Sequence, residues 1–182
     1  MAFNNTIFTT HISTPIGEMV SAATDKGICL LGFYESKKID RQLMSLGSYF
    51  QKEIIPGKNI HLLRLDDQIQ KYFNKESQSF KLPIDLAGTK FQISVWNALM
   101  EIPYGTTISY FKLSEKLGNT KAIRAVANAN AANKIAIIIP CHRVVGSDGN
   151  LTGYAGKLWR KKHLLNHEGQ SENGQLSLMD IL

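Results

Sequence analysis

Short segments separated by turns occupy the first part of the chain, and apolar residues at helical spacing prevail further on. Residues 6–14 and 18–24 have the composition of strands on either side of a turn at residues 15–17, and residues 28–34 form a short apolar run after a second turn. These three segments predict an antiparallel meander of strands. Apolar positions at helical spacing predict helices at residues 39–50 and 66–74.

Helical spacing prevails in the second half of the chain. Thr89 and Gln92 have the spacing of a capping box, and apolar residues follow at helical intervals. Ser109 can cap a second helix that ends before Gly118, and another helix begins near Lys121. A helix, a glycine-containing turn and a second helix are typical of helix-turn-helix motifs.

The change of pattern predicts a domain boundary. Residues 80–86 alternate but contain Pro83, so they predict an edge strand or an extended linker. We expect one domain at residues 1–87, a second at residues 88–169 and a tail at residues 170–182.

A continuous apolar run at residues 135–139 leads into Pro140 and Cys141. A run of this length predicts either a buried strand or an extended core segment. Pro140 has no backbone N–H to donate and favours a turn. The side chain of Cys141 would therefore be held rigidly at the end of a packed element, which suits a nucleophile.

Composition narrows the class of protein. The 182 residues are 43% hydrophobic and 20% charged, as in soluble globular proteins. They contain no apolar run of membrane-spanning length and no secretory signal at the start. Two cysteines cannot form a disulfide framework, so we expect a cytoplasmic protein that keeps a cysteine for chemistry or packing.

The net charge of +6 is unevenly distributed along the chain. Residues 1–87 hold ten basic and nine acidic residues, residues 88–168 hold eleven and four, and residues 169–182 hold none and two. A basic excess confined to the segment with the helix-turn-helix pattern indicates a nucleic-acid-binding surface.

Cysteine attacks as the thiolate, so Cys141 needs a neighbour that takes its proton. His142 is adjacent, Arg143 supplies a cation, and Glu168 is the best candidate for the carboxylate that orients the imidazole. Two other interpretations stay open, a cysteine hydrolase and a helix-turn-helix DNA-binding module whose cysteine is a sensor or inert.

The segment Pro140-Cys141-His142-Arg143-Val144 resembles the active-site signature of the O-6-alkylguanine-DNA alkyltransferases, the methylated-DNA–protein-cysteine methyltransferases. The resemblance is dense over residues 88–169 and covers the first half in outline. Ala127 and Lys134 are typical of a bacterial type within the family. The other matching segments are Phe91-Gln92, Val95-Trp96, Ile102-Pro103-Tyr104-Gly105-Thr106, Ser109-Tyr110, Arg124-Ala125-Val126, Asn133, Gly153-Tyr154-Ala155-Gly156 and Leu164 to Gly169.

The resemblance implies an α+β protein. Its N-terminal domain would be ribonuclease-H-like with a small antiparallel sheet, and its C-terminal domain would be a winged-helix-like helix-turn-helix domain that carries the cysteine. Cys141 would accept the alkyl group, His142 would be its base through a water, and Glu168 would orient His142. Asn133 would hold the cysteine turn by hydrogen bonds.

The resemblance also implies how DNA is held. Tyr110 and Arg124 would flip the damaged nucleotide, with Tyr110 donating a proton to the base and Arg124 filling the gap in the stack. Tyr154 would wall the base pocket. Other residues implied to contact DNA are Gln92, Phe111, Asn119 and Ser147, and the backbone N–H groups of Ala155 and Gly156 would face O-6 of the base.

The reaction implied is irreversible transfer from O-6-alkylguanine, and from O-4-alkylthymine, in duplex DNA to a monomeric protein that acts once. We expect no cofactor and no metal, because His11, Cys29 and His61 lack the pattern of a zinc site. Within the tail, one further set of residues resembles the short peptide by which bacterial proteins bind the replicative sliding clamp, namely Gln175, Leu176, Leu178 and Met179.

Overall fold

A computed structural model describes residues 5–34 and 37–169. The chain folds as two compact units that divide between Ala87 and Gly88. None of the helices among the described residues is both long and apolar enough to cross a lipid bilayer.

The first unit is a four-stranded sheet with two helices. Its strand order is β3-β2-β1-β4, with antiparallel pairing between β1 and β2 and between β2 and β3. The predicted meander is therefore confirmed, but β4, which was not predicted, runs parallel to β1 and makes the sheet mixed rather than wholly antiparallel. The elements are β1 (Thr6–Thr14), β2 (Gly17–Ala23), β3 (Ile28–Phe33), α1 (Lys37–Phe50), β4 (Glu53–Pro56) and α2 (Ile60–Phe73).

The core of this unit lies between the sheet and α1, where Ile7, Leu30 and Leu46 are fully buried. Helix α2 begins at Ile60 rather than at residue 66, because the side chain of Asn59 accepts a hydrogen bond from the Leu62 N–H at 3.0 Å. Residues 80–86, expected to be an edge strand or an extended linker, form a linker with one bridge, between Ile84 and Ile28.

The second unit is mostly helical. The capping box at Thr89 and Gln92 is confirmed, and so is the Ser109 cap, whose hydroxyl accepts from the Lys112 N–H at 3.1 Å. Gly118 follows α4 with φ of 76°. The elements are α3 (Lys90–Met100), β5 (Ile108–Ser109), α4 (Tyr110–Lys116), α5 (Ile123–Ala131), β6 (Val144–Val145) and α6 (Leu158–His167).

Helices α4 and α5, joined by a 3-10 turn at Thr120–Ala122, form the predicted helix-turn-helix. Trp96 anchors this pair to α3, since its indole is 1% exposed and its Nε1 donates to the Ala129 carbonyl at 2.9 Å. The sheet-based first unit and the helical second unit confirm the α+β class.

Candidate active site

Two short parallel strands bring the Tyr110 and Cys141 segments together. In this pair Ile108 lies opposite Val144, and Ser109 lies opposite Val145. Strand β5 ends immediately before Tyr110, and β6 begins immediately after the 3-10 turn of Cys141–Arg143. The sequence did not predict either strand, because each has only two residues.

The apolar run before Cys141 is buried, as expected, but it is neither a strand nor extended. Its backbone folds into turns in which the Ile138 N–H donates to the Ala136 carbonyl at 2.9 Å, around Ile137 with φ of 72°. A positive φ is strained for a β-branched residue. The Cys141 N–H in turn donates to the Ile139 carbonyl at 2.8 Å.

Asn133 holds these turns together. Its Nδ2 lies 2.9 Å from the Ile139 carbonyl oxygen and 3.1 Å from Cys141 Sγ, and its Oδ1 accepts from the Ile135 N–H at 2.9 Å. Cys141 is 5% exposed, and Asn133 is also buried. The nucleophile is therefore fixed by side-chain hydrogen bonds as well as by packing.

Glu168 forms a buried network with His142 and Arg143. Its Oε1 lies 2.8 Å from His142 Nε2, and Arg143 binds the same carboxylate through Nε at 2.8 Å and Nη2 at 2.9 Å. Arg143 also donates to the Ile102 carbonyl at 2.6 Å. The Arg143 cation, which the sequence places near Cys141, is therefore bound to the carboxylate of Glu168.

Burial and charge act in opposite directions within this network. Burial lowers the pKa of His142 and outweighs the opposing effect of Glu168, so the ring is neutral at neutral pH. Burial also disfavours ionised Glu168, but the hydrogen bonds from His142 and Arg143 outweigh it and hold its pKa well below the usual range. Nδ1 of His142 is buried with no hydrogen-bond partner among the described residues.

Lys161 is a buried cation that the sequence analysis missed. Its Nζ donates to the Val144 carbonyl at 2.6 Å and to the Thr152 carbonyl at 2.7 Å, and burial lowers its pKa to about 8. A negative charge on Cys141 opposes that shift. Lys161 lies three residues after Leu158 and four before Leu165, so helical spacing puts it on the buried face of α6. This spacing could have predicted its burial from the sequence.

Tyr110 and Tyr154 both lie within electrostatic range of Cys141. Burial raises the pKa of Tyr110, with a negative Cys141 adding to the effect, and raises that of Tyr154 well above its ordinary value. Both hydroxyls therefore keep their protons at neutral pH. The Oη of Tyr154 has no hydrogen-bond partner in the described part of the chain. Of the other two residues expected at the pocket, Ala155 is exposed and Gly156 is buried.

The residues expected to contact DNA are mostly on the surface of this unit. Gln92 is half-buried, and its Oε1 accepts from the Thr89 N–H at 3.0 Å, so it serves as a helix cap. The exposed members of the set are Arg124, Phe111, Asn119 and Ser147.

Two predictions concern metals and the tail. Within residues 5–34 and 37–169, no group of three or more His, Cys, Asp or Glu side chains is arranged to hold a metal ion. The clamp-like peptide with Gln175, Leu176, Leu178 and Met179 lies outside the described residues.

Comparison with known proteins identifies the family. Residues 90–170 match the model of the 6-O-methylguanine DNA methyltransferase DNA-binding domain. A methylated-DNA–protein-cysteine methyltransferase of Methanosarcina acetivorans is 42% identical over 156 residues, which is 86% of this chain and 94% of that protein.

Solved structures agree with the sequence matches. The O6-methylguanine methyltransferase of Mycobacterium tuberculosis superposes with a TM-score of 0.76 at 36% identity, over 96% of this chain and 99% of that one. The same organism's OGT in complex with DNA superposes with a TM-score of 0.75 at 38% identity, over 91% and 93% of the two chains. The chain therefore belongs to the methylated-DNA–protein-cysteine methyltransferase family, and the enzyme class predicted from its sequence is confirmed.

Proposed function

We propose that this protein repairs duplex DNA by moving the alkyl group of O-6-alkylguanine, and of O-4-alkylthymine, onto Cys141 in a single turnover. The observation that carries the proposal is the geometry at Cys141, whose Sγ is bound by Asn133 beside the buried pair of His142 and Glu168. Similar proteins named as methylated-DNA–protein-cysteine methyltransferases support the reaction class.

The proton of Cys141 leaves through His142. Because Nε2 of that ring lies against the carboxylate of Glu168, Nδ1 is the nitrogen available to take a proton, through a water, from the thiol. Glu168 then stabilises the imidazolium that forms, as the third member of a catalytic triad does. Glu168 stays ionised for this task because the hydrogen bonds from His142 and Arg143 outweigh the effect of burial and hold its pKa low.

The thiolate Sγ attacks the alkyl carbon and forms an S–C bond. The C–O bond to the base breaks, and its electron pair stays with the guanine, which is neutralised by a proton from Tyr110. The imidazolium of His142 releases the thiol proton to solvent, and solvent returns a proton to Tyr110. A protonated base is a better leaving group, and burial raises the pKa of Tyr110 so that its proton is present at neutral pH. The thioether product is stable, so each molecule acts once.

The burial of Cys141 requires the damaged nucleotide to leave the stack. A 5% exposed thiol cannot reach an atom inside a base pair, and extruding the nucleotide costs a few kcal/mol. Arg124, exposed in the first turn of α5, is proposed to fill the gap that the base leaves. The excess of basic residues in this half supplies sequence-independent attraction to phosphate.

Substitution Arg124→Ala tests the flipping step. We expect repair of a duplex containing O-6-methylguanine to slow about 10- to 100-fold, because part of the unstacking cost is no longer offset. Reaction with the free alkylated base should be nearly unchanged. Single-turnover rates on the two substrates measure the difference, and Arg41→Ala, an exposed arginine in α1, is the control. Equal losses on both substrates would exclude a role in flipping.

A second interaction is proposed for the tail. Residues Gln175 to Met179 resemble a peptide that binds the replicative sliding clamp, and short apolar peptides suit grooves of this kind. We expect the full chain to be retained on immobilised clamp and a chain lacking residues 175–182 to pass through. The same deletion should leave alkyl transfer unaffected. Undiminished retention after deletion would rule out docking through this peptide.

A further inference from the structure

Asn130 is a buried polar residue between the nucleophile and the proposed acid. It lies on α5 with 2% of its surface exposed. Its Nδ2 is 3.4 Å from Tyr110 Oη and 3.5 Å from the carbonyl oxygen of Cys141. Its Oδ1 is buried and has no hydrogen-bond partner among residues 5–34 and 37–169.

This arrangement does not stabilise the fold well. Both hydrogen bonds of Nδ2 are longer than typical ones and therefore weak, and a buried acceptor without a partner is destabilising. A leucine has nearly the same shape and no polar atom to bury. Asn130 therefore calls for a functional explanation rather than a structural one.

The direction of the amide follows from its surroundings. The carbonyl oxygen of Cys141 can only accept a hydrogen bond, so the amide NH₂ must face it and Oδ1 must face away. With NH₂ on this side, Asn130 also donates to Tyr110 Oη. A phenol that accepts a hydrogen bond keeps its own O–H free to donate elsewhere.

We propose that Asn130 is a positioning residue that makes Tyr110 a proton donor toward the base. Its Nδ2 occupies one lone pair of Tyr110 Oη, and the Thr152 hydroxyl, the other side-chain partner of this oxygen, can donate to the second, so the phenol proton is left for the base. The same amide group also contacts the backbone carbonyl of Cys141, so Asn130 positions both Tyr110 and the segment that carries the nucleophile. The hydrogen bond also lowers the pKa of Tyr110 against the larger effect of burial, which favours proton donation. This inference rests on the proposed function, in which Tyr110 is the acid.

The first test compares two asparagines in helices of the second unit. Asn130→Leu should slow single-turnover transfer from O-6-methylguanine duplex by about tenfold, a fraction of what general acid catalysis contributes. Asn97→Leu, at an exposed position of α3, should leave the rate unchanged. The melting temperature of Asn130→Leu should equal or exceed that of the unmodified protein. A fall in melting temperature in proportion to the loss of rate would show a structural role and overturn the inference.

A second measurement uses a leaving group that needs no proton. Alkylation of Cys141 by iodoacetamide releases iodide, so its rate and pH profile should be the same in Asn130→Leu and in the unmodified protein. An equal slowing with iodoacetamide would mean that the substitution disturbs the thiol, which would overturn the inference.

A double-mutant cycle links the two residues. Tyr110→Phe alone should slow transfer about a hundredfold, and adding Asn130→Leu to it should cause little further loss, because the group through which Asn130 acts is gone. Independent, multiplying losses would overturn the inference while leaving Tyr110 as the acid. A Tyr110→Phe protein at full rate would overturn the proposed acid and the inference with it.

Asn130→Asp serves if the leucine variant does not fold. Its ionised carboxylate would accept the Tyr110 proton instead of donating to Oη, so transfer should be slow at neutral pH. The rate relative to the unmodified protein should recover as the pH is lowered and the carboxyl becomes protonated. A constant ratio across pH would contradict the proposed direction of this hydrogen bond.

Discussion

Replacement of Cys141 by alanine is expected to abolish alkyl transfer completely. Sγ is the proposed acceptor of the alkyl carbon, and alanine has no nucleophilic atom in its place. The measurement is the intact mass of the protein after mixing with O-6-methylguanine duplex. The unmodified protein should gain one methylene per chain and then stop, and Cys141→Ala should gain nothing while still binding the duplex.

The second cysteine supplies a matched control. Cys29 is buried in β3, and burial raises the pKa of its thiol to about 12, so it is present as an unreactive thiol. Cys29→Ala should therefore transfer at the full rate. Transfer that persists in Cys141→Ala would refute the assignment of the nucleophile. Binding of duplex without any mass gain in the unmodified protein would favour a DNA-binding module, and repeated turnover of an ester or amide would favour a hydrolase.

Substitution Glu168→Gln is expected to have the largest effect on stability. Its carboxylate is fully buried, accepts two hydrogen bonds from the Arg143 guanidinium and binds His142. Glutamine removes the only carboxylate that pairs with this guanidinium in the described residues and leaves the cation buried. Breaking one side of a buried ion pair costs about 3–5 kcal/mol. Denaturant unfolding of the two proteins at neutral pH measures the difference.

An exposed ion pair of the same unit gives the comparison. Glu115 pairs with Lys112 at 2.9 Å with half of its side chain exposed, so Glu115→Gln should change the free energy of unfolding by less than about 1 kcal/mol. A cost for Glu168→Gln as small as that of Glu115→Gln would contradict the importance of the buried network. The Glu168→Gln protein should also need a higher pH for rapid alkylation of Cys141 by iodoacetamide.

The same network makes stability depend on pH. The pKa of Glu168 is lower in the folded protein than its ordinary value of 4.5, so its contribution is complete above about pH 4.5 and is lost as the pH falls toward the folded pKa. Burial likewise lowers the pKa of His142 from 6.5, so the unfolded chain takes up a proton there first and stability declines below about pH 6.5. The Glu168→Gln protein should still lose stability below about pH 6.5, and it should lack the further loss below about pH 4.5.

Local signals were sufficient to predict the starts of α3 and of the helix-turn-helix. Thr89 caps α3 and Ser109 caps α4 through side chains three residues from the groups they bind, so the sequence alone contains the interaction. Strand β4 has no such signal. Its four residues are ordered by pairing with β1, so only the folded sheet defines it.

The turn before Cys141 shows a different limit of prediction from the sequence. Hydrophobicity correctly predicted that residues 135–139 are buried, but it carries no information on backbone angles. Ile137 adopts φ of 72°, which its side chain disfavours, and the surrounding hydrogen bonds of Asn133 sustain it. Propensity therefore gives the wrong conformation at the one segment that mounts the nucleophile.

Buried polar residues were the hardest to predict. Arg143 and Lys161 have side chains that usually face solvent, and their burial depends on acceptors that lie far away in sequence, such as the Ile102 carbonyl for Arg143. Asn130 stands in a helix rich in small residues, where the sequence gives no reason to expect contact with Tyr110.

The indole of Trp96, which donates a hydrogen bond to the Ala129 carbonyl, also serves as a fluorescence probe. Both tryptophans of the chain, the buried Trp96 and the half-exposed Trp159, belong to the second unit. Tryptophan emission should therefore report the unfolding of that unit alone, and the first unit should be silent. Comparing fluorescence with circular dichroism, which senses the whole chain, would reveal whether the two units melt together or in sequence.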